Sequence, residues 1–592
     1  MPGLDLSADG RRTDRAASGI PQADGLPPPH GGALTHLLVA SDEANRLRDR
    51  SRDWPSIDLT PRQICDLELL LNGGFSPLTG FLGRKDHESV VSSLRLAGGV
   101  LWPMPITLTV PKPVAERLET GTPVGLRDPD GTLLAVLDVQ DLWQTDWRRE
   151  AREVFGTLDA SHPGVRSLQA AAGEIAVGGP LRGVALPRHY DFNALRHAPA
   201  DLRAVFRRDG WTRVVAFQTR NPMHRAHKEL TERAAREAGA RLLLHPVVGL
   251  TQPGDMDRVT RVRCYQALAG EYPAGQMKLS LLNLAMRMGG PREALWHAIV
   301  GKNHGCGYFI VGRDHAGPGK DSRGHPFYEP YAAQDLLRQF EKEAGVTMVP
   351  FRELVFVPSR GRYFPSNEIP QGAQSLTLSG TELRRRLGNG EEIPEWFTYP
   401  SVAAELRRAY PPKAQQGFTL FFTGLSGAGK STIANILLAK LTELGSRTVS
   451  LLDGDQVRKT LSAGLGFSKA DRDANILRIG LVAAEITKHR GIAICAQIAP
   501  YADARQQVRG WVSKLGGFIE IHVATPLEVC EQRDRKGLYA KARAGQIEHF
   551  TGLDDPYEAP TNPELRFATV GQDPEANAEE VLAYLRREGY LA

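Results

Sequence analysis

The sequence predicts an α/β multidomain protein with four parts. These are a β-rich region of short strands, a doubly wound parallel sheet, a small helical connector or lid, and a second α/β unit built on a Gly-rich loop. Three observations point there. Short alternating runs separated by Pro and Gly turns fill the chain from His36 to about Asp191. Apolar strand-like runs then alternate with amphipathic helices from about Leu202 to Pro365. A third stretch passes from the apolar run Phe418 to Thr423 through a Gly-rich loop into a helix reaching Leu444. Strand–helix alternation of this kind favours a parallel sheet, because each crossover returns on one side with the same hand.

The chain has 592 residues, more than one hydrophobic core can serve, so several domains are expected. The boundaries read from composition are a polar tail over 1–33, the β-rich domain over 34–195, the doubly wound domain over 196–365, the connector over 366–413 and the last unit over 414–592. A formal charge of +5 is small for this length and does not suggest a dedicated nucleic-acid binder, so local basic clusters need local anions. Five cysteines (Cys65, Cys264, Cys306, Cys495, Cys530) are scattered without a C-x-x-C, which suggests reduced thiols and a cytoplasmic location. No apolar run approaches the roughly 20 residues of a membrane span, and the N-terminus lacks a signal-peptide core.

In the β-rich region, Pro61 to Leu71 reads as a helix capped by Thr60, and Pro105 to Val110 and Leu133 to Val139 read as strands. Pro and Gly turns between such runs suit a small β-barrel. The loop Gly73 to Phe81 (GGFSPLTGF) reads as a packed connection.

In the doubly wound region the strands are Val214 to Phe217, Leu242 to Val248, Lys278 to Leu284 and Tyr308 to Val311. The helices between them are His227 to Gly239, Arg258 to Glu271 and Arg292 to His304. Ligands of such sheets sit beyond the carboxyl ends of the strands. Three polar clusters fall there: Gln218 to His227 (QTRNPMHRAH), Arg287 to Ala294, and Gly312 to Gly319 (GRDHAGPG). In the first, Asn221 can cap the following helix and Pro222 suits its first position. His224 and His227 then share one face of the first turn. A helix start, two imidazoles and Arg220 form a site for a polyanion. The competing readings are a solvated basic helix start and a zinc pair, the latter lacking a third ligand at a metal-like spacing. The connector opens with a capping-box-like Ser379-Gly380-Thr381-Glu382, and Pro411 to Gly417 reads as a linker.

The last unit contains G-x-x-x-x-G-K-S in its strand–loop–helix setting: Gly424, Leu425, Ser426, Gly427, Ala428, Gly429, Lys430, Ser431, followed by Thr432. Backbone N–H groups of such a loop wrap phosphates, Lys430 reaches the β/γ oxygens and Ser431 binds Mg²⁺ brought by ATP. The loop names a phosphate donor, not an acceptor. Carboxylates at the end of the next strand, Asp453 and Asp455, could hold the metal through water or accept a hydroxyl proton. The basic stretch Asp534 to Arg543, including Lys541, suits a closing lid.

GLSGAGKST, LDGDQVR, LGFSKADRDANI, RDRKGLYAKARAG and FTGLDDPYEAP together resemble adenylylsulfate (APS) kinase over nearly the whole of Ser426 to Glu564. That resemblance implies that Arg458, Arg472 and Asn475 hold the phosphosulfate and ribose of APS. It further implies that Phe467 and Phe550 sandwich its adenine, that Lys541 closes over it, and that Asp455 lies near the 3′-hydroxyl. Two positions depart from the family pattern. Ala499 stands in place of the usual Ser before Pro500, which removes any route through a phosphoserine there, and Leu477-Arg478 replaces a tandem Arg.

QTRNPMHRAH, LNLAMRMGGPREALWHAIVGKNHG, GRDHAGPG, FSPLTGF and LSGTELRRRL resemble ATP sulfurylase from about Leu34 to Tyr410. The implied fold is a PUA-like N-terminal barrel before a nucleotidyltransferase domain. The implied site has Gln218 and Arg220 on sulfate, with the backbone around Ala294 and Arg292. His224, His227 and Asn221 would lie on the ATP phosphates beside Thr219, and Gly290, Pro291, Glu293 and Val311 along the nucleotide. Such a site needs no general base, because sulfate is already ionised; it must join two anions and neutralise charge at phosphorus. The expected partners are ATP, sulfate, APS and pyrophosphate, with Mg²⁺ as cofactor and a homo-oligomeric assembly. The leading reading is successive activities making 3′-phosphoadenylylsulfate (PAPS), since Gly424, Gly429, Lys430 and Ser431 are intact; the alternatives are a C-terminal unit that only binds PAPS for regulation and a sulfurylase run in reverse to make ATP.

Overall fold

A computed structural model describes residues 25–252, 255–534 and 536–591, the Asp455 side chain excepted. The expectation for the 1–33 tail lies outside the described residues as far as position 24. The chain forms two compact units. One comprises the chain to Thr377 together with Glu395–Val402, and the other comprises Leu378–Pro394 together with Ala403 onward. The 366–413 stretch is therefore divided between the two.

The first unit opens with a seven-stranded sheet. Its main path runs Ser56–Asp58, Pro123–Arg127, Leu133–Asp138, Ile175–Gly183, Gly80–Phe81, and two further strands pair with Ile175–Gly183. The helix Pro61–Leu71 (α1) begins where its sequence demands: Thr60 accepts from the Gln63 N–H, and the Gln63 side chain accepts the Thr60 N–H in return. The FSPLTGF loop is a packed connection. Phe75 is fully buried, its ring 5.9 Å from Trp102 and 5.1 Å from Trp296.

The second sheet of this unit has five strands, all parallel: Val214–Phe217 (β1), Arg241–Leu244 (β2), Met277–Leu279 (β3), Tyr308–Val311 (β4) and Thr347–Pro350 (β5). Their spatial order is β3-β2-β1-β4-β5, so the winding reverses between β1 and β4. Phe217 and Val311 end the two strands at that reversal, where sheets of this kind bind ligands, and two of the three polar clusters begin there. Arg225–Glu237 (α2), Arg258–Ala269 (α3) and Gly290–Asn303 (α4) cross between strands. One hydrophobic cluster runs from Ile57 through Trp102 and Trp296 to Met348, so the two sheets share a core.

A buried ion pair bridges them. Asp66 of α1 meets Arg287 at 2.5 Å, with both side chains almost fully excluded from solvent, and the Arg287 guanidinium lies 5.2 Å from the Trp296 ring centroid.

The second unit also holds five parallel strands: Phe418–Thr423 (β6), Val449–Asp453 (β7), Ile492–Ala496 (β8), Gly517–Val523 (β9) and Leu565–Phe567 (β10), in the order β7-β8-β6-β9-β10. The central strand β6 is buried at every residue. Phe418, Leu420 and Phe422 face one cluster and Phe421 the other, the period of two that a strand covered on both faces requires. The helix Lys430–Glu443 (α5) follows it directly.

Asp66→Ala leaves the Arg287 charge buried and unpaired, which costs about 3–5 kcal/mol in such settings. Thermal denaturation should show the transition of the first unit lowered and that of the second unchanged.

Candidate active sites

Beyond β1 the chain turns sharply, and α3 holds that turn. Arg261 donates through Nη1 to the carbonyls of Arg220 (2.9 Å) and Val247 (3.1 Å), and the Tyr265 hydroxyl donates to the carbonyl of Asn221 (2.8 Å). Both side chains are buried and four residues apart on one face of α3. Thr219 Oγ1 accepts the Asn221 N–H at 3.2 Å and closes the turn. The helix then starts at Arg225 with His224 in the capping position. The expected cap at Asn221, with Pro222 in the first turn, is thereby corrected. The Asn221 backbone is already committed to Thr219 and Tyr265, and two further residues pass before helical geometry begins.

Gln218 is buried, with Nε2 3.5 Å from the His297 carbonyl and Oε1 without a partner. Arg220 donates to Gln252 Oε1 (3.1 Å) and the Gly317 carbonyl (3.5 Å), and lies 3.5 Å from Asp255. His227 Nδ1 accepts the His224 backbone N–H at 3.2 Å. Burial drives the His224 imidazole down to about 3, with His227 adding to the shift, and drives His227 down to about 4. Without a bound anion both are neutral hydrogen-bond donors rather than cations.

The second cluster reaches this reversal by its backbone. The Gly290 N–H donates to the Ala316 carbonyl at 3.2 Å, tying the start of α4 to the loop after β4. Gly290 has φ +50°, and a Cβ there would lie 2.4 Å from Tyr328 Cδ2, so only glycine fits. Pro291 occupies the first turn and Ala294 is fully buried. Glu293, read from sequence as bordering the nucleotide, is fully buried. It accepts the N–H of Arg287 (3.0 Å) and of Gly289 (2.7 Å) and lies 3.2 Å from His297 Nε2. It clamps the turn from beneath. Arg292, read as a sulfate contact, turns the other way and donates to the carbonyls of Val90 (3.2 Å) and Val91 (3.0 Å). The structure does not bring these two side chains to the cluster, because backbone groups claim both. Val311 is buried at the end of β4, its carbonyl taken by Gln334 at 2.9 Å. His315 Nε2 lies 3.0 Å from His297 Nδ1, which carries the GRDHAGPG loop down onto α4.

In the second unit the Gly-rich loop leaves β6. Gly424 (φ +147°) passes so close to β9 that a Cβ would meet the Val523 carbonyl at 2.4 Å; Gly427 and Gly429 also have positive φ. Lys430 Nζ donates to the carbonyls of Gly424 (2.9 Å) and Leu425 (2.7 Å). The Tyr539 hydroxyl donates to the Ser426 carbonyl at 2.9 Å, and Thr525 Oγ1 to that of Ala428 at 2.8 Å. Ser431 Oγ lies 3.4 Å from Asp453 Oδ2, and Thr432 is exposed beside it. Two hard oxygen donors at the mouth of the loop fit Mg²⁺. Asp455, expected near the acceptor hydroxyl, has its side chain outside the described residues.

Arg472 gathers the acceptor side. Its Nε donates to the Phe467 carbonyl at 2.8 Å, and its other nitrogens reach Thr551 Oγ1 and the His549 carbonyl. One guanidinium thus ties the Phe467 loop to the segment holding Phe550. The Phe467 ring is half exposed under Arg458, whose Cζ is 4.5 Å from its centroid. Phe550 is buried against Tyr539 at 4.9 Å. Asn475 is buried with Oδ1 unpartnered, and Lys541 is exposed on the helix Leu538–Arg543 (α6). Ala499 keeps φ +45°, its carbonyl held by Arg505 (2.7 Å) and Thr423 (3.1 Å), so the turn survives without the family's hydroxyl. Among the described residues no group of three or more His, Cys, Asp or Glu is placed to hold a metal ion.

The sequence reading missed Arg261, Tyr265, Gln252 and Asp255. A cationic and a phenolic side chain four apart on the apolar face of α3 was the available signal for the first pair.

An arginine, a buried amide and neutral imidazoles at the winding reversal of one parallel sheet, with a Gly-rich G-x-x-x-x-G-K-S loop on a second, fit the class of transferases that act on nucleotide phosphates. Family models match in the same order: a PUA-like domain over 27–186, ATP-sulfurylase over 193–409 and adenylylsulphate kinase over 416–568. A sulfate adenylyltransferase of Phaeosphaeria nodorum is 52% identical over 569 residues, covering 95% of this chain and 99% of the relative. One from Mycosarcoma maydis is 54% identical over 544 residues, covering 91% and 95%. A solved hexameric APS kinase from Thiobacillus denitrificans superposes with a TM-score of 0.80 at 40% identity, covering 96% of this chain and all of that one. The chain belongs to the sulfate adenylyltransferase family. It carries both an ATP-sulfurylase and an APS kinase domain, and so is a nucleotidyltransferase and a phosphotransferase.

His224 and His227 are neutral in the fold but bind protons in the unfolded chain below about pH 6.5. The unfolded state therefore holds more protons between pH 6.5 and about 4, and stability falls as pH drops through that window. Urea midpoints of the first unit should decline from pH 7 to pH 4. The slope should flatten in His224→Asn/His227→Asn.

Proposed function

We propose that the first unit joins sulfate to the α-phosphate of ATP, releasing pyrophosphate, and that the second phosphorylates the APS so formed at its 3′-hydroxyl, giving PAPS and ADP. The observation that carries the first half is the turn after β1, where Arg220, a buried amide and two imidazoles converge at the winding reversal. The observation that carries the second is the intact phosphate loop with Ser431 facing Asp453.

In the sulfurylase site Gln218 and Arg220 receive sulfate, and the positive end of α4 beyond Gly290 and Pro291 adds backbone charge. Sulfate oxygen attacks the α-phosphorus in line as the bond to pyrophosphate breaks; no proton moves. His224 and His227 donate to the ATP phosphates, with Asn221 and Thr219 shaping the turn beneath them. As charge spreads onto the phosphate oxygens, neutral donors gain more than they gave in the ground state, and that difference lowers the barrier. Glu293 and Arg292 support the backbone from outside the contact set.

In the kinase site the loop from Gly424 to Thr432 wraps the ATP phosphates and Lys430 exchanges its carbonyl partners for phosphate oxygens. Ser431 and Asp453 would hold Mg²⁺, which draws charge from the β- and γ-oxygens. Arg458, Arg472 and Asn475 receive APS between Phe467 and Phe550, Lys541 closes from α6, and Asp455 attends the acceptor hydroxyl. We assign the protein to the cytoplasm, in keeping with five buried cysteines outside any disulfide, and to a homo-oligomer, in keeping with the hexameric relative. Among the described residues no helix is long and apolar enough to cross a membrane.

Lys430→Ala should abolish PAPS formation from APS and ATP while sulfate-dependent pyrophosphate–ATP exchange stays at the wild-type level. Arg220→Ala should do the reverse, lowering exchange about 10²–10³-fold, the usual cost of one lost anion-stabilising donor. Wild-type enzyme that makes no PAPS from purified APS would leave the second unit a binding module.

A further inference from the structure

Three consecutive residues from far along the chain sit on the start of α2. The Phe397 carbonyl accepts the Arg225 N–H at 3.1 Å, one of the donors that a helix start leaves unpaired. The Phe397 ring covers the His224 imidazole with centroids 4.2 Å apart. Thr398 Oγ1 lies 3.1 Å from His224 Nδ1 and is almost fully buried. Tyr399 lies under the Arg225 guanidinium, 3.9 Å from Cζ to centroid. The segment is fixed behind them: the Trp396 carbonyl accepts the Tyr363 hydroxyl, and the Trp396 ring stacks on Phe356 at 5.7 Å.

These contacts bear on which nitrogen of each imidazole carries the proton. His227 Nδ1 accepts a backbone N–H, so its own hydrogen sits on Nε2. His224 has no such backbone partner at Nδ1; its partner is the Thr398 hydroxyl. A hydroxyl can donate or accept, and only donation gives His224 the same tautomer as His227.

We propose that Thr398 is a positioning residue for the sulfurylase reaction: its hydroxyl donates to His224 Nδ1 and so fixes a hydrogen on Nε2, while Phe397 holds the ring plane. Both imidazoles then present Nε2–H donors to the ATP phosphates, and the segment Glu395–Val402 completes the phosphate subsite. This rests on the reading of His224 as a phosphate donor. Burial, which keeps the ring uncharged, makes the tautomer matter, because a neutral imidazole has one N–H and placing it on Nδ1 would aim a lone pair at the phosphate.

The test uses the full chain and four variants: Thr398→Ser, Thr398→Val, Thr398→Ala and His224→Asn. Sulfate-dependent pyrophosphate release gives kcat and KM for ATP and for sulfate. Kinase activity with supplied APS reports that each variant is made, and the thermal transition of the first unit reports that the half carrying Thr398 and His224 is folded. The expected order is Ser close to wild type, with Val and Ala both lowered about ten- to a hundredfold in kcat/KM for ATP, the usual loss when a residue orienting a functional imidazole is removed. KM for sulfate should hold. Packing alone would give the opposite order, since Val keeps the shape and Ser does not, so Val at or above Ser overturns the proposal. Wild-type activity in His224→Asn overturns the reading of His224 itself. An inactive His224→Asn beside a fully active Thr398→Val overturns only the role of Thr398.

Discussion

A sheet whose strands are all parallel sends every strand-to-helix turn to the same edge. That constraint governs both halves of this chain. In the first unit it places the turns after β1 and β4 on either side of the winding reversal, the position at which such sheets bind ligands. In the second it brings the phosphate loop after β6 beside the Asp453 end of β7 across β8, and Ser431 meets Asp453. Neither site could be assembled from antiparallel hairpins without spreading these groups over two edges.

The two sites solve the problem of holding anions differently. The kinase loop relies on glycines and one lysine, whose resting partners are carbonyls of the loop itself. The sulfurylase site, as proposed, relies on imidazoles that stay uncharged throughout, plus one arginine already balanced by Asp255. Burial would make an unpaired cation there expensive. The supporting charges, Asp66 with Arg287 and Glu293 with its two backbone donors, lie deeper and serve the turns rather than the ligand.

Much of this was legible in the sequence. The strands Val214–Phe217, Tyr308–Val311 and Phe418–Thr423 begin and end where the apolar runs do, because buried parallel strands need uninterrupted apolar residues. The Thr60 and Ser379 caps are local chemistry and were readable as such. The start of α2 was not, because tertiary donors from Tyr265 and Arg261 hold Arg220 and Asn221 out of the helix. Arg292 and Glu293 misled for a related reason. Their type and place suited an anion site, but direction is set by which carbonyl or N–H lies nearest in space. Thr398 carries no local signal at all; its contact is with a residue 174 positions away.

The division of the chain has a further consequence. Residues 378–394 cluster with the second unit, 395–402 with the first, and 403 onward with the second again. The polypeptide therefore crosses between units three times rather than once. No single cut yields two self-sufficient pieces: a break at 377 strips the first unit of the residues that cover His224, and one at 402 leaves it trailing seventeen that belong elsewhere. A clean exchange of the second unit alone would have to swap two separate stretches together, 378–394 and 403 onward, while leaving 395–402 in place.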